Sequence, residues 1–174
     1  AKFTGTLKEF GDHSTTIQAK ADYLLLDHIH RGMRETKIPF TLTSSEELDY
    51  GFTEPLLLLS THLKNWSVVP LAVAALDARQ HYAFGQALFQ VLQAESTRIA
   101  VIASVDLSHH ANAHSPEGEK PEGKLFEEAF QQTIQDLQVE RLFNLPESVL
   151  TAAGQCGYKP FLMLLGTISA LQVK

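Results

Sequence analysis

Ile99-Ala100-Val101-Ile102-Ala103-Ser104-Val105 runs for seven residues without a charge and opens directly into Asp106-Leu107-Ser108-His109-His110. A run so uniformly apolar offers no wet face, which is the pattern of a parallel strand buried on both sides. It predicts a central strand. Outward from it, Trp66 to Ala74 is continuous and branched and reads the same way, while Ile38 to Leu42, carrying Pro39, reads as a strand start or an edge.

Helical periods lie between these runs. Ile17, Ala21, Leu24, Leu25, His28 and Ile29 recur at spacings of three and four and end near Gly32. Asp12 to Thr16 precede them, with short polar side chains suited to unpaired first-turn amides. Thr53 opens a helix with Pro55 in its first turn and Leu56 to Leu59 beyond. Asp77 begins another, with Tyr82, Leu88, Phe89 and Leu92 on one face. Lys124 to Leu137, Leu145 to Ala153 and Pro160 to Leu171 complete the set, with Gly154-Gln155-Cys156-Gly157 breaking the last two apart. Helices alternating with short apolar strands predict an α/β domain over 1–174, with helices on both faces of a largely parallel or mixed central sheet.

Composition narrows the function. A chain of 174 residues with 44% hydrophobic and 20% charged content is one ordinary globular domain, neither a disordered tail nor a coiled coil. Its net charge of −6 argues against nucleic acid or an anionic membrane as partner, since both need clustered positive charge. A small-molecule substrate is the expected partner, and a homo-oligomer stays open. One cysteine cannot form an internal disulfide, so the chain is expected in a reducing, cytoplasmic setting. No apolar run approaches the roughly 18 residues that span a bilayer. The opening Ala1-Lys2-Phe3 carries no initiating methionine and reads as a trimmed chain or a fragment.

In open α/β sheets ligands bind beyond the carboxyl ends of strands, which directs attention to Asp106 to His110. A histidine there can accept and return a proton near neutral pH, so His109 is the candidate general base, against the alternative of a ring that caps loop carbonyls. His110 is expected to be structural, because neighbours on an extended segment point apart. Asp106, Ser108 and His109 lack the Gly-x-Ser-x-Gly elbow and are too close in sequence to line up as a hydrolase triad. His110 and His114 have a ligand spacing only on a helix, and their segment reads as a loop. Cys156 stands where a helix dipole lowers a thiol's pKa, a ligand or reactive thiol against a small buried residue. There is no Walker loop, dinucleotide fingerprint or Cys-x-x-Cys pair.

Phe3-Thr4-Gly5-Thr6-Leu7-Lys8-Glu9-Phe10-Gly11, Leu48-Asp49-Tyr50-Gly51 with Pro55-Leu56, the run into Asp106-Leu107-Ser108-His109, and Cys156-Gly157 occur in an order that resembles the LigB-like class III extradiol ring-cleavage dioxygenase superfamily, which includes the Memo-type proteins. The resemblance implies a phosphorylase/hydrolase-like three-layer sandwich with a non-haem Fe(II) site, at which a catecholic substrate and O2 meet. It implies His109 as acid/base, with Asp106 and Ser108 beside the substrate. Tyr50 matches a position where the family carries a substrate-facing histidine, so a chargeable donor has become a phenol, which counts against ordinary ring cleavage. Cys156 matches the late metal ligand, a cysteine in Memo-like members. The two early ligand histidines precede the segment matched by Phe3 to Gly11, so this chain alone is expected not to hold competent iron. Two functions follow: an Fe(II)-dependent extradiol dioxygenase, or a Memo-like binding or redox-associated protein without ring cleavage.

Overall fold

The computed structural model describes residues 2–115 and 117–171. It is a mixed α/β structure, with a three-stranded sheet and seven α-helices among the described residues. The chain forms two compact units that divide between Ala72 and Val73.

The first unit holds the sheet. Strand β1 (Lys2–Leu7) pairs antiparallel with β2 (Asp12–Lys20) and parallel with the short β3 (Glu47–Leu48), in the order β2-β1-β3. A single 3₁₀ turn (Lys8–Phe10) joins β1 to β2, closed by Gly11 at φ 80°, where a side chain would be strained. The helix predicted from Ile17 is therefore corrected: Asp12 to Lys20 are a strand. The polar cluster does accept orphan amides, as its composition suggests, but Asp12 takes them from Ser14 and Thr15 where the β1–β2 register shifts at the start of β2. The Thr15 and Ser14 hydroxyls, with those amide bonds, hold the Asp12 carboxyl well below the usual carboxylate range. The helix proper, α1 (Tyr23–Arg34), starts later under an Asp22 cap that accepts from the Leu25 amide, and it buries Ile29 and Met33. Helix α2 (Tyr50–Ser60) is capped by Asp49, not Thr53. Thr53 is fully buried instead, its hydroxyl donating to the Asp49 carbonyl at 2.8 Å and sitting where a side chain on Gly5 would stand.

The predicted strands elsewhere do not form. Ile38 to Leu42 joins no strand ladder among the described residues, and Trp66 to Ala74 contributes one bridge, Val68 with Ala21. Ile99 to Val105 joins no ladder either, and Val101 and Ile102 are exposed. An apolar run specifies a strand only where another strand satisfies its backbone, and none of the described residues does so.

The second unit is helical. Helix α3 (Ala78–Leu92) starts at Asp77, as predicted, in a full capping box with Gln80. It lies against α7 (Tyr158–Ser169) through two glycines, Gly85 facing the Met163 carbonyl and Gly166 facing the Tyr82 carbonyl. The Thr167 hydroxyl bonds across the contact to the Gly85 carbonyl at 3.2 Å. Helix α4 (Pro121–Asp136) starts three residues ahead of the predicted Lys124, with proline in its first turn. The short α5 (Glu140–Phe143) and α6 (Glu147–Ala152) close a core of Phe126, Phe130, Leu142, Phe161, Leu162 and Leu165. Phe130 stacks on Phe161 with ring centroids 4.0 Å apart. An apolar groove of about 540 Å³ opens between the ends of α3 and α7, with Ile99 and Val101 on its wall.

Candidate functional site

The turn after the apolar run gathers polar and titratable side chains. Asp106 and His109 stand three residues apart on it, which lets the ring fold back over the carboxylate: His109 Nε2 lies 2.7 Å from Asp106 Oδ2. A carboxylate only accepts, so Nε2 carries the proton. One loop, 153–157, holds this turn in place. The His109 amide donates to the Gly154 carbonyl at 3.2 Å, the Gly157 amide to the Asp106 carbonyl at 2.9 Å, and the Ser108 hydroxyl to the Ala153 carbonyl at 2.7 Å. Gly154, at φ 57°, is the left-handed residue that turns the chain out of α6 and alongside the site.

Ser108 is therefore a structural brace. Its oxygen also accepts the His110 amide at 3.0 Å, which leaves it engaged on both sides and unsuited to nucleophilic attack. His110 is buried, as a structural role requires, and Nδ1 donates to the Gly118 carbonyl at 3.1 Å while Nε2 accepts from the Lys120 ammonium at 2.8 Å. The expectation that His109 and His110 face apart is corrected. The segment is a turn and not a strand, and both rings reach the same carboxylate, Glu117, at 3.6 Å from His109 Nδ1 and 3.2 Å from His110 Nε2. Sequence reasoning missed Glu117 altogether. The Glu117 amide donates to the His109 carbonyl at 3.4 Å, which brings it beside the two rings, and no periodic pattern signals that.

The His109 pKa is raised from its ordinary value, first by the hydrogen bond to Asp106, which outweighs the opposing effect of burial, and then to a lesser degree by the charge of Asp106 and by Glu117. With the folded midpoint above the unfolded one, the stabilisation is complete below about pH 6.5 and is lost as pH rises through the folded midpoint. The side chain is 39% exposed, so solvent trims the effect. Urea midpoints taken across this window are expected to fall with rising pH more steeply in the native chain than in His109→Gln, and parallel curves would contradict the pairing.

Cys156 is exposed, which overturns its reading as a small buried residue. It lies on the 153–157 loop whose Gly154 and Gly157 grip the Asp106 to His109 turn. Tyr50, by contrast, belongs to the first unit, where it opens α2 and meets Phe10 edge-on at 5.4 Å between centroids. Among the described residues no three or more histidines, cysteines or acids form a set able to hold a metal ion. The chemistry of the donors agrees: Asp106 takes His109 Nε2, and the position a cation would occupy at His110 Nε2 is filled by Lys120. Iron does not fit these residues by themselves. No helix of the described residues is long and apolar enough to cross a membrane.

The chain resembles Protein CA_C1420 of Clostridium acetobutylicum, with 25% identity over 182 residues that cover 99% of this chain and 39% of that protein, so it spans about two fifths of that relative's length. Residues 2–174 match the family model described as the catalytic LigB subunit of aromatic ring-opening dioxygenase. The chain belongs to this family.

Proposed function

We propose that this chain carries the acid/base half of an extradiol dioxygenase-like site acting on a catecholic or related aromatic small molecule. One observation carries the reading: in a chain of this family, His109 stands on a partly exposed turn with one ring nitrogen fixed by Asp106. That arrangement suits moving a proton to or from a substrate hydroxyl, because the carboxylate orients the ring and stabilises its charged form. Ring opening would further require Fe(II), which in such enzymes binds substrate and O2 together, and the whole protein would supply it within a three-layer sheet-and-helix architecture.

A second reading is a Memo-like binding or redox-associated protein without ring cleavage. Tyr50, in place of a chargeable histidine, and the exposed Cys156 favour it. Anaerobic Fe(II) loading followed by oxygen uptake with catechol separates the two. The 174-residue chain is expected to retain little iron, since affinity follows ligand count and preformed geometry. The intact gene product is expected to open the ring. Retained iron without ring-opened product would move the intact protein to the second reading, and stoichiometric iron with turnover in the short chain would place all the ligands inside it.

A further inference from the structure

We infer that Glu117 is a positioning residue that occupies His109 Nδ1 in the resting site, marking the place where an acidic oxygen of the ligand binds. The inference deepens the acid/base reading of His109 and rests on it. Three observations carry it.

First, the two nitrogens of His109 are held differently. Nε2 is bonded to Asp106 at 2.7 Å, whereas Nδ1 faces Glu117 Oε1 at 3.6 Å, a distance that keeps charge attraction but exceeds a good hydrogen bond. Asp106 therefore fixes the ring, and Nδ1 is the nitrogen left for exchange. Second, the other Glu117 oxygen is poorly satisfied. It lies 3.2 Å from His110 Nε2, yet that nitrogen already accepts from Lys120, with Nδ1 donating to Gly118. A carboxylate oxygen opposite a ring lone pair gains no hydrogen bond there. Third, the Glu117 side chain is 60% exposed, so it can swing away at little cost, while His110 stays buried behind it.

Charged and polar groups around the ring are thus Asp106, Glu117, His110 and, through His110, the Lys120 ammonium. Two carboxylates outweigh one cation that is already engaged. An incoming carboxylate or phenolate oxygen can take the place of Oε1 at Nδ1 without altering the negative charge that faces the ring. A neutral ligand cannot.

Ring-resonance NMR titration of His109 in the 174-residue chain tests this without any catalytic readout. Glu117→Gln is expected to move the His109 midpoint down, and Glu117→Asp, which keeps the charge on a shorter arm, to fall between it and the native chain. In Glu117→Ala, added acetate is expected to raise the midpoint back towards the native value, while chloride at the same ionic strength does not. An unchanged midpoint in Glu117→Gln would overturn the pairing, and a midpoint in Glu117→Ala indifferent to acetate would overturn the oxyanion place. Loss of catechol turnover in the intact gene product bears only on the reading beneath it, so the two can fail separately.

Discussion

Gly85→Ala is expected to destabilise the helical unit by about 2 to 3 kcal/mol, even though alanine in a helix interior is worth up to about 1 kcal/mol over glycine. The reason is the neighbour. A methyl group on Gly85 would fall inside the van der Waals radius of the Met163 carbonyl oxygen, with the Thr167 amide behind it. Backbone cannot rotate aside as a side chain can, so α3 and α7 would have to separate. Separation would stretch the bond from the Thr167 hydroxyl to the Gly85 carbonyl and loosen the close fit at Gly166. For a unit of this size the thermal midpoint should fall by roughly 10 °C or more. Gly85→Val should fare worse. A midpoint within a degree or two of the native chain would show that the helices part freely and that their contact does not depend on the missing side chain.

On the acid/base reading proposed above, His109→Gln is expected to lower catechol ring-opening turnover in the iron-loaded protein by about 10² to 10⁴-fold, the usual worth of a positioned general acid or base. Glutamine keeps much of the volume and can still reach Asp106, but it cannot take up or release a proton near neutral pH. Because the native ring is partly exposed and the turn is held by backbone bonds to Gly154 and Gly157, folding should be nearly untouched. Measuring kcat against pH, alongside urea midpoints, separates the two effects. If kcat held its native value across the whole pH range, His109 would have no part in proton transfer.

Much of the helical unit can be read from residue order, because its signals are local. Asp77 caps α3, and the stretch from Gly154 to Gly157 separates α6 from α7, each through chemistry confined to one turn of chain. The turn bearing Asp106 and His109 is legible for the same reason, since a sharp change from apolar to polar residues marks it. Errors arise where the same local chemistry serves two purposes. Asp12 accepts amides from Ser14 and Thr15 in a hairpin just as it would at a helix start, and only pairing with β1 decides between them. The pairing of strands is a relation between distant residues, so seven apolar residues from Ile99 cannot state whether a neighbour exists. Glu117 illustrates the remaining gap: its importance comes from loop closure onto two histidines, and nothing in its own surroundings in sequence announces that.

The bare run from Ile99 to Val105 also bears on how the chain keeps company with itself. Seven uncharged residues, free of proline and lysine and joined to no ladder among the described residues, offer a template on which an identical segment can lie at the roughly 4.8 Å spacing of stacked strands. Nothing in the run acts as a gatekeeper; the nearest charges are Arg98 before it and Asp106 after it. At high concentration those two boundary charges, opposite in sign, would favour antiparallel over in-register parallel stacking, because only the former sets arginine against aspartate. The stretch that most strongly suggests a fold is thus also the one through which this chain is most prone to aggregate.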